Sequence, residues 1–229
     1  MFLEQAPNND NAFGWIEVIC GSMFSGKTEE LIRRLKRAEL AQQKVGVFKP
    51  ELDQRYAQDK VVSHDSNAFK AKAVANTKDL LKQAAKFEVV GIDEAQFFDS
   101  GLVGVCNELA NRGIRVIVAG LDMDYKGVPF GSMPELMATA EYVTKVHAIC
   151  SRTGRLAQYS YRLNPNDDLV LLGEAQEYQA LSRSAFVAAM NHERNASRSN
   201  QDQENTTSDW MQIGKRCADQ SKLWQTKPF

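Results

Sequence analysis

The residues Trp15-Ile-Glu-Val-Ile-Cys20 run directly into Gly21-Ser-Met-Phe-Ser-Gly-Lys-Thr28, and this passage contains the strongest structural signal in the chain. Its first part is mostly apolar and β-branched, which predicts a buried strand. Its second part fits the pattern G-x-x-x-x-G-K-[ST] without a gap, and an amphipathic helix follows it. This order predicts a phosphate-binding loop formed by Gly21, Ser22, Met23, Phe24, Ser25, Gly26, Lys27 and Thr28.

The residue types of this loop suit a nucleoside triphosphate and its metal ion. Backbone N–H groups and the N-terminus of the following helix together make a concave, positive site for anions. Gly26 lets the backbone approach the phosphates, Lys27 can reach the β and γ oxygens, and Thr28 can offer its hydroxyl to Mg²⁺. We therefore expect ATP and Mg²⁺ as cofactors.

An acidic pair completes the expected nucleotide site. The apolar run Phe87-Glu-Val-Val-Gly-Ile92 predicts another buried strand, and Asp93 and Glu94 stand at its end. Asp93 is expected to hold Mg²⁺, directly or through water. Glu94 can orient a water for hydrolysis or accept a proton from a substrate hydroxyl. These residues alone leave an ATPase and a kinase both open.

Strand and helix patterns alternate through the first half of the chain. Pro50 is expected to end the second strand, because proline cannot donate a ladder hydrogen bond. The alternation predicts an α/β fold, a parallel sheet flanked by helices with a phosphate-loop nucleotide site. The predicted strands are 15–20, 44–48, 87–93 and 115–119, and the predicted helices follow Thr28 and cover 77–86 and 101–112.

The pattern changes after Gly120. A loop at 121–131, a short helix and one more strand lead to Cys150, and a small second unit of hairpin or long loop follows. Residues 191–209 contain one alanine and otherwise only polar or charged residues, so they cannot bury enough surface to offset their ordering entropy. The expected division is a flexible N-terminus at 1–14, a phosphate-loop domain at 15–149, a small domain ending in a helix at 150–190, and a disordered tail at 191–229.

Composition excludes several classes of function. The 229 residues carry 28 basic and 29 acidic side chains, so no field of one sign favours direct contact with nucleic acid or an anionic membrane. No apolar run approaches the roughly 20 residues that a membrane span needs, and the polar N-terminus lacks an apolar signal core. We expect a cytoplasmic protein. The basic residues of the first helix, Arg33, Arg34, Lys36 and Arg37, are interpreted as a solvated face.

An ordered set of motifs resembles one known family over about residues 15–186. The motifs are Gly21-Ser-Met-Phe-Ser-Gly-Lys-Thr-Glu-Glu-Leu31, Phe48-Lys-Pro50, Asp53-x-Arg55-Tyr56, Ser63-His64, Asp93-Glu-Ala-Gln-Phe-Phe98, Gly120-Leu-Asp-Met-Asp-Tyr125, Pro129-Phe-Gly131, Tyr161-Arg162 and Gly173-x-x-x-x-Tyr178. This set is similar to thymidine kinases of the type II, cellular and bacterial class, which implies transfer of the ATP γ-phosphate to thymidine for DNA precursor salvage.

The resemblance implies a role for particular residues. Glu94 matches the general base for the 5′-hydroxyl, and Arg162 matches an arginine that reaches the transferred phosphoryl group. Asp53 and Arg55 match a pair near the reaction centre. The residues beside the phosphates and metal are Asp93, Glu94, Ala95 and Gln96. The nucleoside pocket comprises Met23, Phe97, Leu121, Tyr125, Phe130 and Tyr178, and a lasso-like loop with Leu169, Val170, Leu171, Leu172 and Gly173 faces the base.

The chain departs from the family pattern at a structural zinc site. The family holds its lasso with two close pairs of ligands, but here those positions read Cys150-Ser-Arg-Thr153 and Ser182-Arg-Ser-Ala185. One thiol cannot replace the four sulfur or nitrogen ligands of structural zinc, so we expect no zinc and regard Cys150 as a remnant. His147 is interpreted as an exposed histidine.

The resemblance also implies partners. Thymidine and deoxyuridine are the expected substrates, thymidine triphosphate is a possible feedback ligand, and a homotetramer is the expected assembly. A phosphate-loop ATPase and an inactive nucleotide-binding regulator stay as the alternative functions.

Overall fold

The computed structural model of the protein describes residues 13–51, 60–62, 68–163, 177–193 and 195. Its helices are α1 Lys27–Leu40, α2 Thr77–Ala84, α3 Leu102–Asn111, α4 Met133–Thr139 and a last helix, α5, at 183–193. Its strands are β1 Trp15–Cys20, β2 Val45–Pro50, β3 Lys60–Val62, β4 Ala68–Lys70, β5 Lys72–Val74, β6 Val89–Ile92, β7 Arg115–Gly120, β8 Tyr142–Lys145, β9 Ala148–Ile149, β10 Leu156–Ala157, β11 Tyr159–Arg162 and β12 Tyr178–Leu181.

The main sheet has six strands in the order β5-β2-β6-β7-β1-β8, and every neighbouring pair is parallel. The α/β prediction is therefore confirmed. Because parallel strands end at the same edge, the loops after β1, β6 and β7 share one rim of the sheet. That rim carries the phosphate loop and the acidic pair.

Side chains alternate between the two faces of β1 and so divide the core in two. Ile16 and Val18 pack with α2, α3 and α4 on one face, whereas Ile19 packs with α1 on the other. Glu17 shares the α1 side of the strand with Ile19, because strand residues two apart point the same way. A carboxylate in that position must find a buried cation.

The pairing of Glu17 with Arg34 shows that one prediction from the sequence is wrong. Arg34 of α1 is only 3% exposed, so it does not belong to the solvated face. Its Nη1 lies 2.7 Å from Glu17 Oε2, and Arg115 Nε of β7 lies 2.7 Å from Glu17 Oε1. Burial raises the pKa of Glu17, but the hydrogen bond and charge of Arg115 and the charge of Arg34 outweigh it and hold the pKa below its ordinary value.

Pro50 is the last residue of β2 and does not stop the strand ahead of it, contrary to the prediction. The ladder from β2 to β6 ends at Phe48, whereas the ladder to β5 continues through Lys49 and Pro50. Pro50 therefore lies beyond the end of the ladder to β6, and a proline is tolerated at such a position.

The chain divides into two compact units between Arg183 and Ser184. The first unit contains the sheet and, after it, the antiparallel pairs β9–β10 and β11–β12. The described part of the second unit is helical and includes 191–193, so the start of the predicted tail is helix. Most of that tail, the turn at 164–167 and most of the N-terminal segment lie outside the described residues. The boundary at 149/150 stays a prediction.

Within the described ranges, no helix combines the length and the apolar character that a membrane crossing requires.

Candidate active site

The phosphate loop adopts a backbone that depends on glycine at two positions. Gly26, which precedes α1, has φ 82°, a left-handed conformation that glycine adopts without strain. Gly21 has φ 148°, and a Cβ there would lie 2.2 Å from the carbonyl oxygen of Val146. Phe24 also has a positive φ, 62°, at the exposed tip of the loop. Of these three residues, Phe24 is the non-glycine one, and its left-handed backbone is a strained conformation of the kind that clusters at functional sites.

Lys27 points back into this loop. Its Nζ donates a hydrogen bond of 2.8 Å to the carbonyl oxygen of Ser22, which also accepts from the hydroxyl of Ser25. Burial lowers the pKa of Lys27, while the charges of Glu94 and Asp93 act in the opposite direction. The ammonium group of Lys27 therefore lies inside the loop, where it can contact the phosphates of a bound nucleotide.

The acidic pair lies at the end of β6, beside the phosphate loop. Thr28 Oγ1 donates to Asp93 Oδ2 at 3.3 Å, which joins the loop to the buried carboxylate. Glu94 has φ 51°, and its backbone N–H donates to Asp93 Oδ1 at 3.0 Å. The left-handed backbone of Glu94 turns the chain sharply after β6, so the neighbouring carboxylates of Asp93 and Glu94 can have different contacts.

Gln96 is buried below this pair, in a 3₁₀ turn over Ala95–Phe97. Its Nε2 donates to Glu94 Oε2 at 2.5 Å, and its Oε1 accepts from the backbone N–H of Leu121 at 2.9 Å. The resemblance implies a place for Gln96 beside the nucleotide phosphates, which stays a prediction, and the structure shows its amide joining Glu94 to the loop after β7. Ala95 is fully buried in the core and presents no polar side chain.

Aromatic side chains lie along the same rim. Phe97 and Phe130 make an edge-to-face pair with ring centroids 5.7 Å apart, and both are half-buried. Leu121 and Tyr125, also half-buried, belong to the loop that Gln96 holds. Flat, partly exposed rings of this kind suit the apolar faces of a nucleobase.

Arg162, at the end of β11, lies between two tyrosines. It is 4% exposed, and its guanidinium carbon is 3.9 Å from the ring centroid of Tyr125. Its Nε and Nη2 donate to the hydroxyl oxygen of Tyr178 at 3.2 and 3.0 Å. The structure therefore brings together three residues that lie far apart in the sequence.

Two further contacts at this site were missed from the sequence. The backbone N–H of Met23 donates to Ser160 Oγ at 3.0 Å, which ties the phosphate loop to β11. Lys145 Nζ lies 2.6 Å from Oδ2 of the buried Asp122, just after β7. The Asp122 carboxylate, in a motif already singled out, was a usable signal, whereas Ser160 offered none.

Several predicted residues lie outside the described part of the chain. These are Asp53, Arg55, Leu169, Val170, Leu171, Leu172 and Gly173. His147 is described and exposed.

The remnant zinc position is a cluster of one thiol and two hydroxyls. Thr153 Oγ1 and Ser182 Oγ lie 3.3 Å apart, beside the buried Cys150. Burial raises the pKa of Cys150, but hydrogen bonds from Thr153 and Ser182 outweigh this and lower the pKa to about 6. The fourth position, Ala185, has no ligand atom. These residues do not fit a structural zinc ion, which needs four sulfur or nitrogen ligands.

Comparison with known proteins identifies related sequences over most of the chain. Residues 14–186 match the family model described as thymidine kinase. A thymidine kinase of Bacteroides fragilis is 55% identical over 197 residues, which cover 86% of this chain and 99% of the relative. Thymidine kinases of Porphyromonas gingivalis and a Rhodothermus species are 57% and 58% identical over 173 residues, 76% of this chain and 85% and 81% of theirs.

Proposed function

The chain belongs to the thymidine kinase family, and we propose that the site at the sheet rim performs the transfer with Glu94 as general base. The protein is an ATP-dependent kinase that phosphorylates thymidine for the salvage of DNA precursors. Neither the phosphate-loop ATPase nor the inactive regulator is favoured.

The observation that carries the assignment is the contact between Thr28 and Asp93, with Glu94 as the next residue. It places the phosphate loop and a second carboxylate at one edge of the sheet. Thr28 and Asp93 would hold Mg²⁺, which would neutralise charge on the phosphate oxygens. Glu94 would then accept the proton of the 5′-hydroxyl.

Phosphoryl transfer passes through a loose transition state, so catalysis depends on positioning and on fixed charge. Lys27 supplies positive charge at the phosphate loop. Arg162 supplies more from β11, where Tyr125 and Tyr178 fix its guanidinium plane. Both cations hold their positions in the protein before the reaction, which lowers the reorganisation needed at the transition state.

The nucleoside would lie against the aromatic residues of the rim. Phe97, Phe130 and Tyr125 offer flat apolar walls, and Met23 and Leu121 could enclose the thymine methyl group. One methyl contributes about 10–200-fold in specificity. We therefore expect deoxyuridine to be phosphorylated with kcat/KM lower by no more than about that factor. Deoxycytidine should stay near background, since its base edge reverses the donors and acceptors that backbone groups of the 169–173 loop would meet.

The test of the base assignment is Glu94→Gln. The amide oxygen can still accept from Gln96 Nε2, so the local structure is kept while the base is removed. We expect ATP binding within about threefold of wild type and turnover lower by about 10²–10⁴-fold. Glu108→Gln, at an exposed pair on α3, is the matched control and should leave both unchanged.

Turnover of Glu94→Gln above half the wild-type rate, with chemistry shown to limit the rate, would remove Glu94 from the mechanism. Loss of ATP binding in the same variant would instead assign Glu94 to the nucleotide.

We also propose that the small hairpin module, β9–β12, is held without zinc, by the cluster of Cys150, Thr153 and Ser182. Elemental analysis of protein purified without chelator should give far less than one zinc per chain. About one zinc per chain would overturn the proposal and would require ligands beyond this cluster.

Three further proposals rest on family membership. The assembly is a homotetramer, thymidine triphosphate inhibits by feedback, and the protein acts in the cytoplasm, where its donor ATP is available. Sedimentation, inhibition kinetics and cell fractionation test these in turn.

A further inference from the structure

Gln96 connects two parts of the site that the sequence keeps apart. On one side its amide nitrogen contacts the carboxylate of Glu94, and on the other its carbonyl oxygen contacts the backbone N–H of Leu121. Leu121 begins the loop after β7, which also carries Tyr125 and Phe130. A single side chain therefore joins the proposed base to the loop that would hold the nucleoside.

The surroundings leave this side chain little freedom. Gln96 is 3% exposed. A Cβ at Gly120 would lie 2.9 Å from Gln96 Oε1 and 2.6 Å from Met133 Sδ. Gly131, with φ 52°, comes so close that its Cβ would lie 2.5 Å from the backbone oxygen of Gln96. Because Gly120 and Gly131 have no Cβ, they leave room for Gln96. The amide of Gln96 has one orientation that satisfies both Glu94 and the Leu121 N–H.

We propose that Gln96 is a positioning residue that fixes the carboxylate of Glu94 relative to the nucleoside loop. The inference rests on the proposed role of Glu94 as the base. The position requires a donor at one end and an acceptor at the other. An ionised carboxylate accepts at both ends and a thioether donates at neither, so glutamine is suited to it in a way that Glu and Met are not.

Two variants separate the two hydrogen bonds. Gln96→Met keeps the volume and removes both, whereas Gln96→Glu keeps the acceptor for Leu121 N–H and removes the donor to Glu94. Because misplacement of a catalytic group by about 1 Å can cost about 10²-fold, we expect kcat to fall about 10- to 100-fold in both variants. The KM for ATP should stay within about threefold, since the phosphate loop is untouched.

A double-mutant cycle with Glu94→Gln tests whether Gln96 acts through Glu94. If it does, Gln96→Met in the Glu94→Gln background should lower kcat by less than about threefold further, since residues that act as a unit are non-additive. Gln83→Met, on α2, is the matched control and should leave kcat unchanged in both backgrounds.

The outcomes are distinct. Additive losses in the cycle, or unchanged kcat in Gln96→Glu, would overturn the role of Gln96 and leave the base assignment intact. A fully active Glu94→Gln variant would overturn the base assignment itself. If Gln96→Met proves too unstable to assay, Gln96→Glu carries the test, with thermal unfolding and ATP binding as measures of its integrity.

Discussion

The main sheet and the small hairpin module hold their parts of the site in different ways. The strands of the sheet lie between helices on both faces, and even the charged residues Glu17 and Arg115 of the sheet and Arg34 of α1 are buried and paired. The module consists of two-stranded pairs, and Ile149 and Leu156 of β9 and β10 are both 64% exposed. An isolated two-stranded pair is marginally stable at best, so polar contacts add to the order that the module's small buried side chains provide, such as those of Ala148, Ala157 and Ala180.

This difference indicates that the catalytic residues of the two regions are held in place by different kinds of contact. Lys27, Asp93 and Glu94 belong to the sheet rim, where the surrounding core fixes their positions. Arg162 belongs to the module and depends on two tyrosines and on the contact from Ser160 to the phosphate loop. Substitutions of buried core side chains in the sheet should therefore act mainly on folding, and substitutions at the polar contacts of the module should act mainly on activity.

The largest effect is expected from Glu17→Ala in the sheet. It leaves two buried arginines without their carboxylate, and breaking a buried ion pair in this way costs about 3–5 kcal/mol. Urea denaturation measures the free energy of unfolding. Glu108→Ala, at the exposed pair with Arg112, should cost no more than about 0.5 kcal/mol.

The same carboxylate gives the effect a pH dependence. Because the pKa of Glu17 is lower in the folded than in the unfolded protein, its stabilisation is present above the unfolded pKa and is lost as the pH falls through the folded pKa. The stability difference between wild type and Glu17→Gln should shrink on acidification. A difference that grows with acid would contradict the pairing.

A matched pair of leucines tests the contrast between the two regions directly. Leu109→Ala removes a fully buried side chain of α3 and should cost about 2–5 kcal/mol, whereas Leu156→Ala in β10 should stay within about 0.5 kcal/mol. Thermal or urea unfolding of both variants is the measurement. Similar losses would mean that the module is covered in solution and the contrast is wrong.

In the module, Tyr178→Phe removes the oxygen that accepts two hydrogen bonds from Arg162. A hydrogen bond to a charged group contributes about 1.5–3 kcal/mol, so we expect kcat/KM to fall at least about tenfold, and the free energy of unfolding to fall by no more than about that amount because Arg162 is buried. Tyr142→Phe, on the exposed strand β8, serves as control. A large loss of stability with unchanged kcat/KM would contradict this contrast between the two regions.

The smallest effect is expected where the two regions meet. Ser160→Ala leaves the Met23 N–H without its acceptor, which should weaken ATP binding by about 1 kcal/mol, or about fivefold. Ser160→Thr keeps a hydroxyl and should bind ATP more tightly than Ser160→Ala. Equal affinities in the two variants would show that the hydroxyl does not hold the loop.

Local signals made the nucleotide half of the site predictable. The phosphate loop combines a fixed spacing with the change from strand to helix periodicity, so the structure of residues 15–40 can be predicted from that segment alone. The acidic pair followed from its place at the end of an apolar run. Both depend on neighbours in the sequence, which a pattern can describe.

Contacts between distant residues set the remainder. Arg34 was predicted to belong to a solvated face, because its buried partner Glu17 lies on a different element of the chain. One partner of Gln96, the backbone N–H of Leu121, is 25 positions away, and the partner of the Met23 N–H, Ser160, is 137 positions away. One usable signal was Glu17 itself, since a lone carboxylate in an apolar strand requires a buried cation.

The parallel pairing of β1 also constrains how the chain folds during synthesis. β1 is bordered by β7 and β8, so Trp15 meets its neighbour Arg115 only after about a hundred further residues have been made. At about 5–20 residues per second, the apolar strand waits about 5–20 s on the ribosome without its partners. The phosphate loop is made directly after β1, yet it can be fixed only once the chain through β7 has emerged.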